Sequence, residues 1–278
     1  MIINFKHFLI TRFSVKPVDF DNNLEVIDKE YTDEWMNKRI DLFQKYCLPS
    51  VFNQDCKNFH WLIYLDRDTE NKYRNKFNQL LEKCPVPCEI RYVHGGVLFL
   101  EDVENFILDN TNAENTHVIT TGLDSDDALH KRAILRLQSY TSDPNEFVVS
   151  DRKIALNLLK GYQLKVVPYN ELVWTKVPSN PFISLVSKID TNNVDIVYNY
   201  FHNDLGDIKV IDINDDFYWL QTVHDTNILN CIVGWPTSDI KRISEFGFNP
   251  NNIQISKKTL LVGFFNRLKH SIFRRISQ

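Results

Sequence analysis

The sequence predicts an α/β fold with a mainly parallel central sheet flanked by helices, and three observations predict it. Short apolar runs alternate with helical patterns over the first 130 residues, which is the signature of strand–helix–strand units. Polar residues cluster just after the strand runs, at Thr11-Arg12, at Asp66 and at Asp124 to Asp127. The composition, 43% apolar and 24% charged over 278 residues, is that of an ordinary globular protein with enough chain for a sizeable core.

The elements follow in order. Phe5 to Phe13, rich in Phe, Leu and Ile, is the first strand. Residues 33 to 47 place Met36, Ile40, Phe43 and Cys47 on one helical stripe, with Asp33 as the expected N-cap. Trp61 to Leu65 is a second buried strand, residues 69 to 83 a charged helix, Glu89 to Val93 a third strand and His117 to Thr121 a fourth. Ala128 to Tyr140 is expected to be helical, with Leu129, Ile134 and Leu137 inward. The second half is less regular. Phe147 to Ser150, Leu164 to Pro168, Leu172 to Lys176 and Val194 to Tyr198 read as extended, and Trp219 to Asn230 as a helix. One domain over residues 1–255, followed by a tail at 256–278, is the expected organisation.

Composition narrows the function classes. The net charge of −4 gives no electrostatic case for nucleic acid binding. Only 8 glycines occur, and none forms GxGxxG or a P-loop. The five cysteines are odd in number and scattered, which argues against a disulfide framework. The two prolines within Cys84-Pro85-Val86-Pro87-Cys88 mark a stiff turn entering a strand. Met1 to Ile10 lacks a cleavage signature, and no apolar run reaches the ~18 residues that cross a bilayer, so a cytoplasmic protein is expected.

Asp124-Ser125-Asp126-Asp127 is the sharpest chemical feature. Three carboxylates in four residues repel one another unless a cation or donors compensate. Hard oxygen ligands suit Mg²⁺ or Mn²⁺, which bridge carboxylates to substrate phosphates, and a strand end is where ligands bind in open α/β sheets. The alternative is that Asp124 or Asp127 caps a helix beginning near Ala128.

A set of ordered motifs carries a resemblance. His7-Phe8-Leu9-Ile10-Thr11-Arg12-Phe13 opens it, followed by Trp35, Arg39, Leu42-Phe43, Cys47-Leu48-Pro49-Ser50-Val51 and Gln54. Then come Phe59-His60-Trp61 to Asp66, Leu123-Asp124-Ser125-Asp126-Asp127-Ala128-Leu129, Ser179-Asn180-Pro181-Phe182, and Trp219 to Asn227. Over residues 5 to 235 the chain resembles the bacterial rhamnosyltransferase family, whose members are similar to GT-A glycosyltransferases. It departs from the family pattern at Gly122, where an arginine is common, and near Ser187, where a glutamate is common.

The resemblance implies a GT-A-like domain with a nucleotide-binding half at about 1–130 and an acceptor-side half at about 131–255. It implies a nucleotide-sugar donor such as dTDP-L-rhamnose and a divalent cation, Mn²⁺ or Mg²⁺. The acceptor would be a cell-surface glycan or lipid-linked glycan. Thr11 and Arg12 begin the nucleotide pocket on this reading, Asp66 contacts the base, and Asp124 faces the ribose or the metal. Asp126 binds the metal. His224 is the late histidine that closes the metal–diphosphate site, the alternative being a core histidine beside Trp219. An inverting transfer needs a carboxylate base, for which Asp190, Asp204, Asp215 and Asp216 fall in the right stretch, with Asp204 preferred by its spacing from His224. A nucleotidyltransferase and an inactive glycan- or nucleotide-binding module are the other readings.

The tail stands apart. After Glu245 there is no acidic residue, while Lys257, Lys258, Arg267, Lys269, Arg274 and Arg275 add six positive charges. Leu261, Phe265, Leu268, Ile272 and Ile276 follow helical spacing, with Arg267, His270 and Arg274 opposite. Such a helix either lies on an anionic membrane surface, making the protein peripheral to the inner face, or docks its stripe on the core.

Overall fold

The computed structural model describes residues 4–16, 18–19, 25–26, 31–112, 114–142, 153–168, 170–190, 193–225 and 232–276. β1 (Phe5–Arg12) is buried from His7 to Thr11 because its two faces meet different cores. Phe8 and Ile10 join one cluster and Leu9 the other, so a strand covered on both sides reads as an unbroken apolar run. After two short strands, β2 (Val18–Asp19) and β3 (Glu25–Val26), comes helix α1 (Asp33–Leu42). It continues through a π-helical turn at Phe43–Cys47 into α2 (Leu48–Phe52). Met36, Ile40, Phe43 and Cys47 form its buried stripe. The expected cap at Asp33 is corrected. Thr32 is the last extended residue, and its hydroxyl accepts the Trp35 N–H, whereas Asp33 is already helical and pairs with Lys72.

β4 (His60–Asp66), α3 (Asn71–Leu81), β5 (Cys88–Val93), α4 (Gly95–Asp109) and β6 (His117–Gly122) complete the first half. The α4 helix had no counterpart among the expected elements, since its Gly95-Gly96 start reads as a loop. Its Phe99, Val103 and Ile107 cover Ile10, Leu62 and Tyr64. Beyond the aspartate cluster the chain corrects the expected helix at Ala128. Residues Ala128–Leu129 form strand β7, and helix α5 spans Ala133–Ser142. Asp124 and Asp127 therefore line a turn between strands and cap no helix.

The second half supplies β8 (Ile154–Leu158), β9 (Lys160–Lys165), β10 (Glu171–Lys176), β11 (Ile183–Lys188), β12 (Lys209–Ile213), β13 (Trp219–Val223) and β14 (Trp235–Pro236), then α6 (Ile240–Ile243) and α7 (Lys257–Ile276). The helix expected from Trp219 is a strand instead. Trp219 and Leu220 sit in different cores, as only alternation allows, and residues 226–230 of that expectation lie outside the described residues. The strand expected at Leu164 to Pro168 lies earlier, at β9. Val194 to Tyr198 is not a strand but leads into a 3₁₀ turn at Val197–Asn199, with Val194 and Ile196 buried against the α4 cluster. Phe147 to Ser150 lies outside the described residues.

The central sheet is mainly parallel, as expected, with β11 alone reversed and β12 parallel to β8, and it is joined by a second sheet that the sequence did not announce. A seven-stranded mixed sheet has the order β12-β8-β11-β6-β1-β4-β5. β6, β1, β4 and β5 are mutually parallel, and β11 runs antiparallel to both β6 and β8. A second, five-stranded sheet has the order β14-β10-β9-β13-β7, antiparallel except for β9 with β13. The parallel set points its carboxyl ends to one edge, where Arg12, Asp66 and the Asp124–Asp127 turn arrive together. The architecture is an α/β fold with mixed sheets flanked by helices.

Candidate functional site

Three carboxylates can share the turn after β6 because each meets a different compensation. β13 pins the turn from the second sheet. The Thr222 backbone N–H donates to Asp127 Oδ1 at 2.8 Å, and the Thr222 hydroxyl donates to the Asp126 carbonyl at 2.9 Å. Strand periodicity then sets His224, two residues on, beside the same turn. Its Nε2 lies 2.7 Å from Asp126 Oδ2. From α1, Arg39 grips the same carboxylate with both arms, Nη1 to Oδ2 at 2.9 Å and Nη2 to Oδ1 at 3.1 Å, while Nη2 also reaches the Ser125 hydroxyl at 2.7 Å. This fork is the planar match that guanidinium makes with carboxylate.

Burial alone pushes the Asp126 carboxyl up, but the His224 hydrogen bond and the Arg39 charge outweigh it and hold the group below the usual range. Asp124 and Asp127 go the other way. Burial raises both, and the negative charge of Asp126 raises them further. Asp126 and His224 supply an oxygen and an imidazole of the type a divalent cation on substrate phosphates takes, although among the described residues the turn brings no three such ligand atoms within 4.8 Å of one another and Arg39 holds both Asp126 oxygens.

The remaining expected residues are dispersed around this centre. Arg12 is exposed, and its guanidinium lies over the Tyr198 ring at 4.7 Å and near Phe99 at 5.9 Å; its charge also favours the ionised form of Asp124. Thr11 is fully buried, and its hydroxyl accepts the Trp61 indole N–H at 3.0 Å. Asp66 ends β4 with its Oδ1 accepting the Asp68 N–H at 2.9 Å, while Oδ2 is buried and has no hydrogen-bond partner. Asp66 also comes together with Asp68 and His94, one ligand atom from each lying within 4.8 Å of the others, so this set could hold a divalent ion.

Of the aspartates weighed as a base, Asp215 pairs with Arg136, and Asp216 with Arg132 and Arg242. Asp190 lies on an isolated bridge to Asn193. Asp204 is exposed and accepts the Gly206 N–H in its own turn at 3.3 Å.

Residues not assigned to the site from sequence also converge here. Arg39 is 87 residues from Asp126, and no local pattern couples them. Tyr198 donates from its hydroxyl to the Ile10 carbonyl at 3.1 Å and presents its ring to Arg12. A Cβ at Gly122 would stand 3.1 Å from that Tyr198 hydroxyl, so the glycine makes room for the tyrosine.

No curated protein matches the chain. Among solved structures it is similar to mouse xyloside xylosyltransferase 1 in its apo form, at 12% identity and a TM-score of 0.31, over 66% of this chain and 67% of that one. The model of the family described as "Putative rhamnosyl transferase" matches residues 6–234. That span takes in the first sheet's parallel strands, the aspartate turn, Arg39 and His224, and the chain belongs to this glycosyltransferase family.

Proposed function

We propose that the protein is a GT-A-like, metal-dependent glycosyltransferase that moves a deoxysugar, L-rhamnose on our reading, from a nucleoside-diphosphate donor to a hydroxyl of a cell-surface glycan or glycolipid. Residues 1–255 form the transferase domain on this reading and 256–278 a separate helix. The observation that carries it is the convergence of Asp126, His224 and Arg39 at the carboxyl edge of the parallel strands. Family membership supports the transfer of a sugar from a nucleotide donor.

Asp126 and His224 would hold Mg²⁺ or Mn²⁺, with Asp124 facing the ribose or the ion. The cation supplies Lewis-acid neutralisation of the departing diphosphate. The chain's own groups do the rest. Arg39 fixes the Asp126 carboxylate in orientation, and Thr222 fixes the backbone beneath it. Arg12, exposed and over the Tyr198 ring, offers a guanidinium to phosphate oxygens. The unpartnered Asp66 Oδ2 is an acceptor suited to the imide N–H of a pyrimidine base. Asp204 is the proposed base that takes the acceptor hydroxyl proton in an inverting transfer.

A donor screen tests the reading. Calorimetric titration of nucleotide sugars, with and without Mn²⁺, should show tightest metal-dependent binding for a pyrimidine nucleoside-diphosphate deoxysugar. Incubation with that donor should release the nucleoside diphosphate by hydrolysis or transfer. Metal-dependent binding with no turnover of any donor would identify a binding module instead.

A further inference from the structure

We infer that the carboxy-terminal helix α7 is a membrane-surface anchor whose partner is the anionic headgroup layer of a lipid bilayer. Of the stripe Leu261, Phe265, Leu268, Ile272 and Ile276, Leu261 and Phe265 do not dock on the core, and Leu268 is half-buried. α7 rests on β14 through its other side, where Leu260, Gly263 and Arg267 are half-buried and the Phe264 ring lies 6.1 Å from Trp235. Val262 and Phe265 face away, 50% and 60% exposed, and Leu261, at the rim of a cleft with Pro236 and Thr237, is 59% exposed. Contiguous large apolar side chains this exposed are uncommon on a protein that meets only water.

Two tryptophans lie at the sheet edge beside the helix. Trp235 and Trp174 are cross-strand partners on the sheet edge that carries α7, and both keep more than a third of their surface in solvent. Tryptophan favours the headgroup level of a bilayer because an apolar ring with one N–H is satisfied at a wet–dry boundary.

Charge selects the occupant. Lys257 and Lys258 are exposed in the first turn of α7. The sequence adds Arg267, Lys269, Arg274 and Arg275 and has no acidic residue after Glu245, so a +6 end stands against −10 on the rest of the chain. A second copy of the chain would have to bring two such basic ends together, whereas an anionic surface neutralises each. None of the described helices is long and apolar enough to cross a membrane, so α7 lies on the surface rather than spanning it.

The test is cosedimentation of the full chain with vesicles. Phosphatidylcholine mixed with phosphatidylglycerol should pellet the protein, and phosphatidylcholine alone should not. Raising salt from about 0.1 M to 1 M should weaken binding at least ~10-fold, since the screening length falls from ~10 to ~3 Å. The pair Lys257→Glu and Lys258→Glu should weaken it at least ~10-fold, at about fivefold or more per basic side chain. The pair Leu261→Ser and Phe265→Ser should also release the protein while leaving its thermal unfolding unchanged, because both side chains are already in solvent. Equal binding to neutral vesicles, no binding to anionic ones, or full retention by the serine pair would overturn the inference. So would a concentration-dependent dimer without lipid that the serine pair dissolves. The readout is vesicle binding alone, so it stands or falls independently of the proposed transferase activity.

Discussion

His224 Nε2 and Asp126 Oδ2 lie 2.7 Å apart although 98 residues separate them in the chain. The contact is made by two sheets meeting. Asp126 hangs from the end of a parallel strand of the first sheet, His224 follows a strand of the second, and Thr222 bolts the two together through a side chain and a backbone N–H. Both partners are nearly fully buried, so the pair is held as a single unit.

Asp126→Ala should abolish metal-dependent nucleotide-sugar binding while the chain still folds. Relief of repulsion with Asp124 and Asp127 favours the variant, but Arg39 loses its bidentate partner in a mostly buried position, and that loss dominates. A net destabilisation of ~2–3 kcal/mol is expected, below the full cost of orphaning a buried ion. Calorimetric titration with donor and Mn²⁺, alongside urea unfolding, checks both halves; undiminished donor and metal affinity would remove Asp126 from the site.

His224→Ala should lower turnover by ~10–100-fold or more, the range seen when groups supporting a metal are lost. Thermal stability should fall only modestly. A large drop in melting temperature with unchanged specific activity would mark His224 as a packing residue.

Gly161→Ala should destabilise the protein by ~3 kcal/mol through steric overpacking. A Cβ there would sit 2.0 Å from Trp219 Cδ2, because the indole lies directly across the glycine. Trp219 has nowhere to retreat. It stacks on Phe182 at 4.8 Å, and its N–H is bonded to the Leu158 carbonyl at 2.6 Å. Equilibrium unfolding in denaturant measures the loss, and a stability equal to the parent's would show that β9 and β13 pack differently.

His7 should make the fold sensitive to mild acid. Burial lowers its pKa from 6.5 to about 3. The neutral ring is satisfied on both sides, its Nδ1 accepting from Gln138 and its Nε2–H donating to Thr121, which in turn donates to Ser184. Between pH 6.5 and 3 the unfolded chain binds a proton that the folded chain refuses, so stability from this group is complete above pH 6.5. It is lost as pH falls toward 3, by at most ~1.4 kcal/mol per pH unit. Denaturation midpoints measured from pH 7.5 to 4.5 should show this slope, and His7→Gln should flatten it.

Much of the first half was written locally. Strands covered on both faces, such as Phe5 to Phe13 and Trp61 to Leu65, appear as apolar runs, and the stripe of Met36, Ile40, Phe43 and Cys47 has one helical period. Their carboxyl ends could be read off directly, which is why Arg12, Asp66 and the aspartate turn stood out together. Several residues that carry the family pattern proved to hold the frame. Gln54 donates to the carbonyls of Ser50 and His130 and accepts from Ile134, and Asn180 donates to the carbonyls of Leu158 and Val177. A buried amide that satisfies three backbone groups leaves no local pattern to announce it.

By itself, then, the sequence determined the alternation of strand and helix, the edge at which carboxylates gather, and the basic, amphipathic character of α7, because each depends on neighbours within a few residues. Tertiary structure alone decided that Ala128 and Trp219 begin strands rather than helices, since the second sheet that pairs them is assembled from β7, β9, β10, β13 and β14, far apart in the chain. It alone brought Arg39 and His224 to Asp126, across 87 and 98 residues. It alone turned Phe265 to solvent, because β14 took the opposite side of the helix. Short-range periodicity fixes which face of an element is apolar; which partner meets that face is a property of the assembled layers.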